Sequence, residues 1–394
     1  MNLSQDDESS GSKVLRNPNL QIIFCTTLAA VMGVSSITPA LPLIGRVFEL
    51  SVSEVAWLIT IFTLPGIILT PALGVVADLI GRKRILVPSM FLFGIAGFAC
   101  SFAQTFEQLL LFRFIQGIGV AAIGALNVTL IGDIFRGNER ARAMGYNSGV
   151  LSFGATFYPV IGGALAAIAW YYPFYLPLLG IPVALLIQYK LDNPEPDKPA
   201  SKSQYFKLLK TNLSNKKIIL LFGATLASFL ILYGPILTML PFLINTSFTE
   251  SSMLIGFLLG FVAVGNGISA FKMGRLAARF SEQSLLKFSF ILYVICLALI
   301  PFMPVVWALA LVILAFGLAQ GINLPVIITL ISVETQIESR AAVMSLNGMV
   351  LRIAQTIGPL VITFIYGIGG FESVYLSSAV FALLIGILVF FKLK

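Results

Sequence analysis

The 394-residue chain is 58% hydrophobic and 11% charged, has a mean hydropathy of +0.97 and carries a formal net charge of +8. Soluble domains carry roughly one quarter charged residues, so a soluble fold is excluded. Histidine is absent, and Cys25, Cys100 and Cys296 stand singly in apolar runs, which removes the commonest metal ligand and proton shuttle and indicates neither a disulfide framework nor a metal site.

Hydrocarbon about 30 Å thick requires about 20 apolar residues of helix, with every backbone polar group bonded internally. Runs of that kind predict spans over 20–44, 54–77, 84–103, 107–131, 141–168 and 171–189, and again over 217–241, 252–271, 284–301, 304–330, 341–367 and 371–391. The first run follows a stretch of mixed charge that includes Asp6, Asp7 and Glu8. It is too long for a signal-peptide core and is expected to remain as the first helix. Residues 190–216, rich in Lys, Pro and Ser, form the one long polar interruption. The expected organisation is a tail 1–19, a six-helix bundle 20–189, a linker 190–216 and a second bundle 217–394: an all-α membrane protein of twelve transmembrane helices.

Basic residues fall on one side of these spans. Lys13 and Arg16, Arg82 to Arg84, Arg136, Arg140 and Arg142, seven lysines from Lys190 to Lys217, Lys272, Arg275, Arg279 and Lys287, Arg340, and Lys392 and Lys394 share it. Of the 25 Lys and Arg, only Arg46, Arg113 and Arg352 are left over. Short loops carrying such residues stay cytoplasmic, so both termini are expected inside a plasma (inner) membrane. The same distribution accounts for the net charge without a nucleic-acid partner and leaves contact with anionic lipid open.

The halves repeat. A constant shift of 200 superposes Gly74 on Gly274, Leu86 on Leu286, Gly117 on Gly317, Arg140 on Arg340, Asn147 on Asn347, Pro159 on Pro359 and Tyr175 on Tyr375. Such a repeat fits two pseudo-symmetric six-helix bundles with a substrate site near mid-membrane between them.

Four motifs carry chemistry. Gly74 to Leu86 (GVVADLIGRKRIL) joins spans 2 and 3; Leu109 to Ala122 (LLLFRFIQGIGVAA) contains Arg113, Gln116 and Gly117; Asp133 to Gly145 (DIFRGNERARAMG) joins spans 4 and 5; and Gly154 to Gly163 (GATFYPVIGG) lies in span 5. Together they resemble the signatures of the major facilitator superfamily. In that resemblance Gly74 admits a neighbouring helix, and Asp78 accepts from the N-terminus of helix 11 near Ser339 and Arg340. Gly81, Arg82, Lys83, Arg84, Asp133, Arg136, Glu139 and Arg140 form an inner gate with Arg340. The simpler readings are a topogenic basic turn at Gly81 to Arg84 and a solvated loop at 133–145. The second half departs from the pattern, with Ala278 where the repeat of Asp78 falls.

The span 5 motif resembles an exporter signature in which Gly154, Pro159, Gly162 and Gly163 allow packing and a kink. Tyr158 replaces the glycine that usually precedes the proline, whereas span 11 carries Gly358-Pro359. The resemblance places Met32, Ser36, Arg113, Gln116, Asn127, Tyr158, Tyr233, Asn323, Arg352 and Gln355 around a central cavity. For Arg113 the alternatives are snorkelling or pairing with Glu107 or Glu54; for Arg352, a structural hydrogen bond to carbonyls. No acid lies mid-span, and the stretch LAAVMGVSSITPALP of span 1 contains none. The expected function is therefore proton-coupled export of neutral or anionic amphipathic molecules by alternating access, by a monomer without cofactor and with the proton gradient as energy source. Asp133 and Glu107 are the candidate proton carriers. An importer or uniporter of an organic anion, or a transport-dead receptor, would use the same helices; an enzyme would need chemistry that the chain lacks.

Overall fold

The computed structural model describes residues 14–192, 215–335 and 340–393, and these are helical, with no strand among them. Ends of helices remote from the basic loops are termed outer, the others inner. Helix α1 (Pro18–Val47) runs as Pro18–Ser35, a 3-10 turn Thr38–Ala40 and Leu41–Val47. Asn17 caps it by accepting from the Asn19 amide, and Pro18 sits where no amide is needed. Helix α2 (Val52–Ile80) opens with a reciprocal cap: the Ser51 amide donates to Glu54 Oε2 at 2.8 Å and the Glu54 amide to Ser51 Oγ at 3.3 Å. At Gly81 the backbone takes φ +103°, a conformation closed to side chains, which turns the chain into α3 (Arg82–Phe102). Helices α4 (Phe106–Ile134), α5 (Gly137–Ile168) and α6 (Tyr172–Lys190) complete the first half.

The second half contains α7 (Lys216–Ser247), α8 (Ser252–Ala277), α9 (Glu282–Phe302) and α10 (Val306–Glu334). The helical stretch Arg340–Lys392 is broken where Gly370 adopts φ +67° and ψ −160°, giving α11 (340–368) and α12 (371–392). Each of the twelve expected spans falls on one of these helices. The shift of 200 persists in three dimensions: α3 and α9 begin at 82 and 282 and end at 102 and 302, while α4 and α10 begin at 106 and 306 and end at 134 and 334. The linker from 193 to 214 and the first 13 residues lie outside the described residues.

Two compact units are present. One takes residues up to Ser36, Ile61–Ala155 and α6; the other takes Ile37–Thr60, Thr156–Trp170 and the second half. The outer parts of α1, α2 and α5 thus pack with α7 to α12, and the division cuts across the sequence repeat.

Within each unit glycines let backbones meet, because lipid gives no hydrophobic drive for helix association and close packing must supply it. A Cβ at Gly117 would lie 2.2 Å from the Phe62 carbonyl oxygen, and one at Gly317 would lie 2.1 Å from that of Val262, the same contact 200 residues on. Gly74 and Gly274 face open space instead, with nothing within 4 Å of a Cβ. Among the described residues no neighbour makes the close approach expected at Gly74.

Candidate functional site

In the first unit, α1 and α4 are joined by buried polar side chains. Arg113 is fully buried; its Nη1 donates to the Gly33 carbonyl at 2.9 Å and to Gln116 Oε1 at 2.7 Å, and its guanidinium lies 4.0 Å from the centre of the Phe62 ring. Arg113 therefore neither snorkels nor pairs with Glu107 or Glu54. A carbonyl, an amide and an aromatic face solvate it. Nearer the inner end, Thr26 donates to Asn127 Oδ1, Asn127 Nδ2 donates to Thr27 Oγ1 at 3.0 Å, and Thr27 donates to Asn147 Oδ1 at 2.6 Å. Three helices are linked by this ladder. Met32 and Ser36 are buried too, the Ser36 hydroxyl donating to the Met32 carbonyl at 2.7 Å.

The second unit repeats the ladder. Thr225 donates to Asn347 Oδ1 at 2.7 Å, as Thr27 does to Asn147. Ser228 donates to Asn323 Oδ1 at 2.6 Å, and Asn323 Nδ2 to Ser289 Oγ at 2.8 Å, tying α7, α10 and α9. Tyr293 donates to Gln320 Oε1 in the same core. Asn323, expected at a cavity wall, is fully buried as a bridge between helices. Thr27, Asn147, Thr225 and Asn347 were not assigned from sequence, although the Asn147–Asn347 match was a visible signal.

A different arrangement surrounds Arg352, the one intramembrane arginine of the second half. The side chain is only partly buried, its Nη1 donates to Gln355 Oε1 at 3.1 Å, and Gln355 Nε2 donates to the Tyr233 hydroxyl at 2.9 Å. No carboxylate among the described residues pairs with it. Helix α7 is π-helical over Leu232–Met239, starting one residue before Tyr233, and the Thr238 hydroxyl donates to the Tyr233 carbonyl at 2.6 Å. Extra-wide turns of this kind often occur at functional sites. Gly234 brings this segment against α11: a Cβ there would lie 3.1 Å from the Gly358 carbonyl oxygen. Gly358-Pro359 therefore packs on α7.

The outer part of α5 packs on α8. A Cβ at Gly256 would lie 2.1 Å from the Pro159 carbonyl oxygen, and one at Gly163 would lie 2.4 Å from that of Ser252. Gly154, Pro159, Gly162 and Gly163 are all buried, and Tyr158 is half-buried. Helix α2 meets α11 where the Thr60 hydroxyl donates to the Thr356 carbonyl at 3.1 Å. Arg46 and Glu250 form an exposed ion pair at the outer surface, and the Trp170 and Phe48 rings meet edge to face at 5.0 Å.

At the inner end, Arg82 Nε donates to Asp133 Oδ2 at 2.9 Å and Arg82 is buried. Of the expected network this is the ion pair formed among the described residues. Arg84, Arg136, Glu139 and Arg140 are exposed, and the Lys83 ammonium donates to the Leu191 carbonyl at 3.1 Å. Arg340 Nη2 donates to the Ser332 carbonyl at 2.9 Å, while the Arg140 guanidinium lies against Gly132, the position 200 residues earlier. Each arginine turns back onto the end of the preceding helix, where the dipole favours a cation. The side chain of Asp78, together with Glu338 and Ser339, lies outside the described residues.

Two six-helix halves, repeated polar ladders and an arginine in mid-span define a polytopic membrane transporter. The chain belongs to the Major Facilitator Superfamily, whose family model matches residues 23–332 and 221–394. It is similar to the class B tetracycline resistance protein of Escherichia coli, 27% identical over 364 residues and 89% of each chain. It is also similar to the bacillibactin exporter of Bacillus subtilis (strain 168), 29% identical over 163 residues and 40% of each chain. Among solved structures it shares the fold of a bacterial homologue of the human lysosomal transporter Spinster in an inward-facing, unoccupied conformation, with a TM-score of 0.77 and 17% identity over 97% of this chain and 96% of that one.

Proposed function

We propose that the chain is a proton-driven exporter of anionic or neutral amphipathic molecules, with Arg352, Gln355 and Tyr233 as the polar part of its substrate site. The observation that carries this reading is Arg352 itself. A charge at helix centre costs about 2.5–3.5 kcal/mol on insertion scales, and no carboxylate among the described residues offsets this one. A carboxylate or sulfonate substrate would supply the missing anion by charge-assisted hydrogen bonds. Gln355 and Tyr233 hold the guanidinium in place, and the apolar walls of α7 and α11 suit the rest of an amphipathic molecule. A lipophilic cation would meet repulsion there.

Export is supported by the names of the similar proteins, a resistance protein and an exporter. Alternating access is supported by the outer packing of α5 on α8 and α2 on α11, which would have to separate for release outside. On this reading the two six-helix bundles rock so that the site opens to one side of the membrane at a time, both termini are cytoplasmic, the membrane is the plasma membrane and the monomer suffices. Asp78, Arg82 and Asp133 form the inner gate with Arg140 and Arg340. The proton is placed at Asp133, where neutralising the carboxylate releases Arg82; Glu107, at the outer start of α4, is the second candidate.

The test uses inside-out vesicles acidified by a respiratory gradient. Anionic or neutral amphiphiles should raise the internal pH, and Arg352→Ala should abolish the response to anions. A response to cations alone would overturn the substrate class, and uptake into right-side-out vesicles would reverse the direction to import of an organic anion.

A further inference from the structure

Helices α9 and α12 leave an apolar groove of about 230 Å³ on the outside of the bundle, remote in sequence from the Arg352 site. Its floor is Phe290 and Ala382, both buried, and its sides are Ile291, Ile295, Leu383 and Phe390, all exposed. The groove exists because Gly386 has no side chain: a Cβ there would lie 3.2 Å from Cβ of Phe290, so any larger residue would crowd the floor. Lys287 lines one end of it. Its ammonium lies 4.6 Å from the centre of the Phe390 ring, and no carboxylate among the described residues pairs with it.

An exposed apolar wall on a membrane helix faces lipid, so the ordinary occupant of such a groove is an acyl chain. What distinguishes this groove is the cation at one end, about one and a half turns into α9 from its inner start at Glu282. Lys392, also exposed, closes the same end of α12. A lysine held over an aromatic ring buries its stem and presents the ammonium where inner-leaflet phosphates lie. We propose that this groove is a specific site for an anionic glycerophospholipid, with one acyl chain between α9 and α12 and the phosphate on Lys287. The placement in the inner leaflet rests on the orientation with both termini inside. The site itself does not depend on what is transported.

Native mass spectrometry of the intact protein in micelles doped with equal phosphatidylglycerol and phosphatidylcholine tests this. The wild type should retain one phosphatidylglycerol in preference to phosphatidylcholine. Lys287→Gln should reduce that preference about fivefold, the effect of one juxtamembrane lysine on anionic lipid, while still retaining lipid. Leu383→Trp, which fills the groove, should lose retention of both lipids, and Lys272→Gln should match the wild type. Each variant is first shown to be monodisperse and to transport as the wild type does. Equal preference in the wild type and Lys287→Gln, retention unchanged in Leu383→Trp, or saturation of the site by glycerophosphoglycerol lacking acyl chains would overturn the proposal.

Discussion

The hydroxyl of Thr60 in α2 donates to the carbonyl of Thr356 in α11 at 3.1 Å, and shifting each residue by 200 gives Gly260 of α8 facing the Thr156 carbonyl of α5, 3.4 Å from where a Cβ would stand. The duplication thus produces two related outer contacts, one closed by a hydroxyl and one by a glycine. Both belong to the segment that must part if substrate leaves outward.

The α5–α8 contact is the tighter, so it is the more sensitive to added volume. Gly256→Leu should prevent its closure, because overpacking costs about 1–3 kcal/mol, and transport should fall at least tenfold. Gly274→Ala, where a Cβ meets nothing within 4 Å, should stay within about twofold of wild type, as an exposed helix position allows. Initial transport rates in vesicles with matched protein content decide between them.

Arg46 and Glu250 close the same surface, but with side chains 44% and 77% exposed. Exposed ion pairs contribute about 0–1 kcal/mol. Glu250→Gln should therefore change transport less than about fivefold and remove part of its dependence on external salt. A loss comparable to that of Gly256→Leu would show the pair to be a principal lock.

Arg113 and Arg352 should separate in function. Arg113 is enclosed by Gly33, Gln116 and Phe62, so Arg113→Met leaves the Gly33 carbonyl and the Gln116 amide oxygen without their donor and should cost about 1–3 kcal/mol of stability. Thermal unfolding in detergent should show a lowered midpoint of several degrees with the order of substrate preference retained. Changed preference at unchanged stability would move Arg113 into the substrate site.

The Arg82–Asp133 pair holds a buried guanidinium. Asp133→Asn keeps a hydrogen-bond acceptor but removes the charge, and hydrogen bonds to charged groups contribute about 1.5–3 kcal/mol. Uphill transport should be lost while exchange of substrate across equal concentrations continues. Full uphill transport by Asp133→Asn would exclude this carboxylate as the proton carrier.

Span number and repeat were legible because both are written in one dimension: length and apolarity fix the spans, and Gly, Arg and Asn recur at one shift. Partner choice was not. The pattern of glycines around Pro159 in α5 announces close packing without saying against what. The structure pairs it with α8, where Gly256 and Gly260 lie four apart on one face and give the small-xxx-small signal that was overlooked. Arg113 was legible as costly but its surroundings were not, since Gly33 and Phe62, which supply them, lie 80 and 51 residues away. Arg352 was recognised for its depth in α11 and for Gln355 one turn on; the link to Tyr233 depends on the π-helical turn of α7, which no local pattern announces.

The most direct test measures proton release from energised inside-out vesicles on adding a paired series, an amphipathic carboxylate and its methyl ester, to wild type and Arg352→Ala matched for protein. Wild type should respond to both, and Arg352→Ala should lose the carboxylate response by tenfold or more, the worth of a charge-assisted hydrogen bond, while keeping the ester response. Equal responses to the carboxylate in the two proteins would contradict the assignment of Arg352 to substrate.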